Sequence, residues 1–264
     1  MELNRSQHIL KISAAVALAL LVSAPVIADS DSFELGVRRI LLRRHPDDGV
    51  GRVGQLERYV ERSGETREAL EQVLIGFVEE GSSGREGSSH DRILSNFSIE
   101  VLGALRSRSA IPVLRNVAMS RNDATRRRAV RALANMGGPE TIAFAREVEA
   151  DGSSYSRLDR FALYETLIRN LRSDPVPEWE SSQDELERFL LGAIERETSH
   201  ANVVLIDEGL VVTSPAYRTS YEREEVLEVV LGSPVERHKD YARRELVELR
   251  RVPVASRTHV DVGQ

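Results

Sequence analysis

Two stretches of this sequence carry the same apolar pattern, Ile99-Glu-Val-Leu-Gly-Ala-Leu105 and Val130-Arg-Ala-Leu-Ala-Asn-Met136. After a short polar gap, each is followed by a second apolar segment, at 110–114 and at 141–145. The shift from 99 to 130 also maps Leu102, Leu105, Ile111 and Val117 onto Leu133, Met136, Ile142 and Val148. A repeat of this length holds two short helices and a turn, and neither helix can bury its apolar stripe alone. The pattern therefore predicts stacked helix pairs.

Small and polar residues at fixed places accompany the two copies. Leu102-Gly103 comes before Ala110-Ile111-Pro112, and Asp123-Ala-Thr-Arg126 leads into Ala129, Ala132, Leu133 and Gly137. With these residues, the stretch 91–150 resembles a HEAT repeat of the short bacterial, PBS-lyase type. The resemblance implies an all-α fold, an α-solenoid of stacked antiparallel helix pairs, and a general role in binding. It also implies that Arg126 bridges neighbouring repeats, but it names no partner.

Local signals predict where the helices of the repeats begin and end. Pro112 suits the first turn of a helix, where its missing amide proton costs little. Asp123 is expected to cap the helix that starts there. The run Gly137-Gly138-Pro139 predicts the end of one helix and the start of the next.

Composition limits the possible functions. Charged residues make up 30% of the 264 residues and aromatic residues only 5%, which fits thin, repeated helix layers better than one deep core. The formal net charge of −6 argues against nucleic-acid binding, because proteins that bind nucleic acids are usually basic. The chain has no cysteine, which excludes thiol catalysis, thiolate metal sites and the attachment of a bilin through sulfur.

The first 28 residues have the pattern of a signal peptide. Arg5 and Lys11 make the start positive, Ile12 to Val22 is apolar except for Ser13, and Pro25-Val-Ile-Ala28 offers small residues for cleavage after Ala28. We therefore expect a periplasmic or secreted protein of bacterial type with no membrane span after cleavage. The alternative is an uncleaved membrane anchor, although the apolar run is short for a bilayer that needs about 20 residues.

Breaks in the sequence suggest how the rest of the chain is divided. We predict a helical N-terminal cap at 29–80, a Gly/Ser loop at 81–90, HEAT-like repeats at 91–173, divergent C-terminal helical repeats at 174–252 and a disordered tail at 253–264. The stretch 201–213 fits either a helix or a β-hairpin. We favour a helix, because its neighbours are helical and a lone hairpin is only marginally stable.

Sequence patterns of catalysis are missing, so we predict no catalytic residue, no metal site and no cofactor. The histidines after the signal segment, His45, His90, His200, His238 and His259, are isolated in the sequence and lack the spacing of a zinc-binding helix. The paired carboxylates Asp47-Asp48 and Asp207-Glu208 are adjacent, and adjacent side chains on a helix point apart.

A row of arginines is the best candidate for a binding site. In such solenoids the second helix of each pair lines the concave face, where extended partners usually bind. Arg127 and Arg131 lie off the core stripe of the helix 124–136, and Arg169 and Arg172 extend the row on the next such helix. These four arginines suit an acidic protein segment or an anionic polymer of the cell envelope. The alternative is a solvated helix face whose arginines pair with nearby glutamates.

The favoured function is a non-enzymatic, exported scaffold that binds another protein and is a monomer or a weak oligomer. Two alternatives remain open. A carrier of a small ligand or polyanion would need a deep basic pocket between the N-terminal cap and the repeats. An enzyme with an unrecognised site would need a buried cluster of charged side chains with displaced pKa values.

Overall fold

A computed structural model describes residues 30–43, 49–82, 88–172, 182–211 and 222–251. The predicted signal peptide 1–28 and the predicted tail 253–264 lie outside the described residues. So do parts of the Gly/Ser loop (83–87) and of the boundary after the repeats (173–181).

The described residues form twelve α-helices and no strand. The helices are α1 (Ser30–Leu42), α2 (Gly49–Ser63), α3 (Arg67–Ser82), α4 (Ser89–Ala104), α5 (Ile111–Ala118), α6 (Asp123–Asn135), α7 (Gly138–Ala150), α8 (Arg157–Arg172), α9 (Gln183–Arg196), α10 (His200–Val211), α11 (Arg223–Leu231) and α12 (Glu236–Arg251). A short 3-10 turn, Arg108–Ala110, precedes α5. The predicted all-α fold is confirmed, and the described part of 201–213 is a helix rather than a hairpin.

From α3 onward the helices are arranged in two layers. The second layer stacks α4 on α6, α6 on α8, α8 on α10 and α10 on α12. The first layer consists of α3, α5, α7, α9 and α11, which pack against their partners α4, α6, α8, α10 and α12. Before these layers, α1 and α2 pack against each other and against α4. The chain is therefore an α-solenoid of stacked helix pairs, as the repeat pattern predicts.

The repeated apolar positions form the interior of this stack. Of the ten residues related by the repeat, Ile111 is half-buried. The other nine are buried: Ile99, Leu102, Leu105, Val117, Val130, Leu133, Met136, Ile142 and Val148. Gly103 lets α4 approach α6 closely, because a Cβ atom there would lie 2.6 Å from the Cα atom of Ala132. The apolar periodicity thus marks the inner face of each helix correctly.

Caps and turns place the helix ends. The Ser88 hydroxyl accepts the amide proton of Asp91, whose carboxylate accepts the Ser88 amide proton in return, so α4 begins with a capping box. The residue that caps α6 is Asn122, whose side chain accepts amide protons from Ala124 and Thr125. The expectation that Asp123 is the cap is wrong: the extended residue before the helix is one position earlier, and Asp123 is the first helical residue.

Candidate interaction surface

The four arginines predicted from sequence all lie in the second layer, but the structure gives them different surroundings. Arg131 on α6 forms an exposed ion pair with Glu165 on α8, at 3.1 Å between Nη2 and Oε2. Nη2 of Arg172 donates a hydrogen bond of 2.8 Å to the backbone carbonyl of Glu208 on α10. Within the described part of the chain, Arg127 and Arg169 have no ion pair. Two guanidinium groups of the row are therefore engaged by neighbouring helices.

A groove between α6 and α8 brings two of these arginines together. Its volume is about 360 Å³, and Glu100, Ala124, Arg127, Arg128, Arg131, Leu158 and Phe161 line it. We call it the arginine groove. Arg169 and Arg172 are not among its lining residues. The predicted row is thus a pair of arginines in one groove, with the other two arginines further along α8.

Sequence reasoning missed the apolar and acidic members of the arginine groove. Leu158, at the start of α8, is 49% exposed, and Phe161 one turn later is half-buried. Nε of Arg128 lies 3.0 Å from Oε1 of Glu100 on α4. The positions 124, 127, 128 and 131 follow helical spacing and mark one face of α6. No local pattern indicates that Leu158 and Phe161 lie beside that face.

A buried ion pair sets α8 against α6 and so fixes the walls of the groove. Nε of Arg126 lies 2.8 Å from Oδ2 of Asp159, which is fully buried at the start of α8. Asp159 also accepts hydrogen bonds from the Ser156 hydroxyl and amide. The expectation that Arg126 bridges neighbouring repeats is confirmed. Burial alone would lower the pKa of Arg126, but its bonds to Asp159 and Asp123 raise that pKa.

A second ion pair with a buried carboxylate joins the next two helix pairs. Arg160 on α8 pairs with the buried carboxylate of Glu197 before α10, at 3.1 Å between Nε and Oε2. Burial would raise the pKa of Glu197, but bonds from Asn202, the Ser199 amide and Arg160 lower it. The carboxylate is therefore held charged between the repeats.

The C-terminal repeats contain polar groups that the sequence did not reveal as a set. We call His200, Asp207, Arg223, His238 and Tyr241 the C-terminal polar cluster. The Tyr241 hydroxyl donates a hydrogen bond of 2.6 Å to Oδ2 of Asp207, a fully buried carboxylate. Nη2 of Arg223 lies 3.7 Å from the same oxygen. Burial raises the pKa of Asp207, and burial together with the bond to Asp207 raises the pKa of Tyr241.

Two histidines of this cluster, which are isolated from each other in the sequence, meet in the structure. The rings of His200 and His238 stack with centroids 5.5 Å apart and planes 19° apart. Their positions are 38 residues apart, so only the packing of α12 on α10 joins them. His45 and His259 lie outside the described residues.

The cavities bear differently on the two alternative functions, a carrier and an enzyme. The cavity between α3 and α5, at the junction of cap and repeats, measures about 400 Å³ and is lined by Glu79, Ser82, Pro112, Val113 and Asn116, with no basic side chain. This cavity therefore does not have the basic lining that the carrier hypothesis predicts. The buried charged cluster that the enzyme hypothesis needs is present, but His200, Asp207, Arg223, His238 and Tyr241 line none of the four cavities described in this subsection.

The largest of these cavities lies in the first layer, between α7 and α9. Its volume is about 570 Å³, and Arg146, Arg188 and Arg196 line it together with Glu149 and Glu185. Arg146 pairs with Glu185 at 2.8 Å, and Arg196 pairs with Glu149 at 2.5 Å. A smaller cavity of about 240 Å³ adjoins it and shares Glu149 and Arg196. Most of the charge here is therefore neutralised by pairs between the two helices.

Comparison with known proteins agrees with the stacked pairs. Residues 89–163 match the family model of HEAT repeats. This segment consists of HEAT-like repeats. The match covers α4 to the first half of α8, less than a third of the chain, and it includes every residue of the arginine groove. Searches of curated proteins and of solved structures found no match.

HEAT repeats commonly mediate protein interactions and typically act as scaffolds rather than enzymes. None of the described helices is long and apolar enough to cross a membrane. Within the same described ranges, no three histidine, cysteine or acidic side chains are grouped to hold a metal ion.

Proposed function

We propose that this HEAT-like repeat protein is an exported, non-enzymatic scaffold that binds a protein segment in the arginine groove. The observation that carries the proposal is Arg127, a guanidinium with no ion pair among the described residues, which lines the groove together with Leu158 and Phe161. A buried or bound guanidinium needs an acceptor, and a carboxylate supplies two in matching geometry.

The chemistry of the groove limits what fits it. The lining holds three arginines and one glutamate, and that glutamate is already paired with Arg128. Leu158 and Phe161 add apolar surface that a partner would cover. The segment that fits best therefore carries a carboxylate for Arg127 beside an apolar side chain for Leu158. Such mixed anchors are typical of a peptide laid into a groove between helices.

Site-directed photo-crosslinking tests the site directly. A photoreactive phenylalanine analogue at position 161 is expected to crosslink one protein in envelope extracts, whereas the same analogue at position 143, an exposed alanine on α7 in the other layer, is expected to capture none. The double variant Arg127→Glu, Arg131→Glu should abolish the crosslink because it reverses the charge of the groove. Arg146→Glu, which changes an arginine of the other layer, should leave the crosslink intact.

The outcomes of the crosslinking experiment distinguish the choice of the arginine groove from the proposal that the protein is a scaffold. Loss of the crosslink in both charge variants would indicate a general electrostatic effect and contradict the groove. A crosslink that survives the groove variant with unchanged circular dichroism would move the binding site elsewhere on the scaffold. Equal capture from positions 161 and 143 would argue against a defined site.

Export is tested separately, because it rests on residues 1–28 alone. A fusion of residues 1–28 to a reporter that is active only outside the cytoplasm should give signal. The secreted chain should begin at Asp29, as determined by N-terminal sequencing. Retention of residues 1–28 on the mature protein would favour the membrane-anchor alternative.

A further inference from the structure

The stacked histidines join two helices at the C-terminal end of the solenoid. His200 is the first residue of α10, and His238 is in the first turn of α12. His238 is fully buried, and the Tyr241 ring meets His200 edge-on at 5.5 Å. The principal contacts of α12 are with α10 and α11, so this pair is part of what holds α12 in place.

The ring nitrogens of the two histidines lack acceptors for the hydrogen bonds that protonated imidazoles would donate. Nδ1 of His238 lies 3.0 Å from the Ser233 hydroxyl, but its Nε2 atom and Nδ1 of His200 are buried without a hydrogen-bond partner in the described part of the chain. A neutral imidazole has one N–H group, whereas a protonated one has two, and each buried donor needs an acceptor. Protonation therefore leaves an unpaired charged donor inside this joint.

The charged groups that act on the pair are Glu197 before α10, and Arg237 and Arg244 on α12. The remaining ionisable groups of the cluster interact with one another: Tyr241 on α12 and Arg223 on α11 both approach Asp207 on α10. Burial lowers the pKa of both histidines, and Arg237 lowers both further. His200 also lowers the pKa of His238, whereas Glu197 partly raises it. Glu197 already accepts hydrogen bonds from Arg160 and Asn202, so it does not offer a free acceptor.

We infer that the His200–His238 pair is a pH-sensitive joint that releases α11 and α12 from α10 on acidification, while the earlier repeats stay folded. A histidine whose pKa is lowered by folding contributes its stability fully above the unfolded value of about 6.5 and loses it as the pH falls through the folded value. Release stays local because each helix pair of a solenoid contacts mainly its neighbours, so one pair can open while the others stay folded. The inference is independent of the arginine groove.

The titration of Asp207 changes the stability with pH in the opposite direction to that of the histidines. Its pKa is raised by burial, so its contribution to stability is greatest at low pH and is lost as the pH rises through the folded value. The wild-type response therefore sums two effects of opposite sign. A variant that removes the titration of one histidine separates them.

Hydrogen exchange followed by mass spectrometry provides the test. Between pH 7.5 and pH 5.5, the protection factors of the amides in α11 and α12, corrected for intrinsic exchange, should fall by up to about tenfold for each histidine, because pH 5.5 lies about one unit below the unfolded pKa of about 6.5. Amides in α4 and α6 should keep their protection. His238→Phe retains an aromatic ring without a titrating group, so α12 should lose up to about tenfold less protection at pH 5.5 than in the wild type, with His200 alone still titrating. His90→Gln, at an exposed histidine on α4, should respond as the wild type does.

Equal loss of protection in the wild type and in His238→Phe would overturn the inference, as would loss in all helices together. If His238→Phe is unfolded at pH 7.5, an NMR titration of the wild-type imidazoles decides. Values for His200 and His238 below about 6.5 support the joint, and values at or above it contradict the joint.

Discussion

Two regions of this solenoid, the middle repeats with α4 and α6 and the later repeats with α10 and α12, share one architecture but have different interiors. Between α4 and α6 the buried contact includes Gly103 lying against Ala132, and the ion pair Arg128–Glu100 is partly exposed. Between α10 and α12 the interior contains the Asp207 carboxylate, hydrogen-bonded to Tyr241, and two stacked histidines. Apolar contacts do not titrate, whereas buried acids and imidazoles do. The same helix stacking therefore accommodates a contact between α4 and α6 without a buried titrating group and a contact between α10 and α12 that contains several.

The largest expected effect comes from the buried ion pair that joins the middle repeats. Asp159→Ala removes the buried partner of Arg126 and the acceptor for Ser156. Removing one partner of a buried pair costs 3–5 kcal/mol. We expect about 3 kcal/mol, the low end of that range, because Arg126 keeps Asp123 and the Ser120 carbonyl. Urea unfolding followed by circular dichroism measures the change.

The exposed pair Arg131–Glu165 provides the matched control, since it joins the same two helices at the surface. Glu165→Ala should cost no more than about 0.5 kcal/mol, as exposed ion pairs usually do. Similar losses for Asp159→Ala and Glu165→Ala would show that the buried pair does not hold the repeats together.

A second comparison uses two glycines, one from each region. At Gly103 an added Cβ atom meets the backbone of Ala132, and at Gly209 on α10 it meets the side chain of Ile168, 2.5 Å from its Cδ1 atom. Backbone cannot move aside without shifting α6, so Gly103→Ala should cost about 2 kcal/mol through overpacking. Gly209→Ala should cost less than half as much, because Ile168 can change rotamer and alanine favours the helix by about 1 kcal/mol. Thermal unfolding of both variants measures the difference, and equal costs would contradict the distinction.

A further predicted effect, smaller than that of Asp159→Ala, concerns the C-terminal polar cluster. Tyr241→Phe removes the hydroxyl that donates to Asp207 and leaves Oδ2 with Arg223 at 3.7 Å. We expect a loss of about 1–2 kcal/mol at pH 7, within the range for an unsatisfied buried acceptor. The loss should shrink towards pH 4, since a protonated carboxyl needs the donor less. A loss that is constant with pH, measured by urea unfolding at each pH, would show that Asp207 is already neutral at pH 7.

Much of the fold was predictable because the repeat is periodic. The residues Ile99, Leu102, Val130 and Leu133 are inward in both copies, as helical spacing requires. The role of Arg126 also followed from the repeat resemblance. The cap of α6 was misplaced by one residue, since Asn122 and Asp123 are both good cap residues and only the backbone conformation distinguishes them.

The candidate site was less predictable. Arg127 and Arg131 were found because they share one face of one helix, a property that spacing alone encodes. The apolar wall formed by Leu158 and Phe161 was not found, because it lies on another helix. The ion pair of Arg131 to α8 and the hydrogen bond of Arg172 to the backbone of α10 were likewise not identified, since contacts across helices depend on how the stack is rotated and spaced.

By itself, the sequence determined that the chain is helical, that its helices stack in pairs and which face of the repeated helices is buried. Those properties depend on spacings of three, four and 31 residues along one chain. Only the tertiary structure decided that His200 meets His238, that Tyr241 reaches Asp207, and that Arg127 lines a groove with Leu158. The physical reason is that these contacts join separate helices, and their geometry depends on connecting segments whose length is not repeated along the chain.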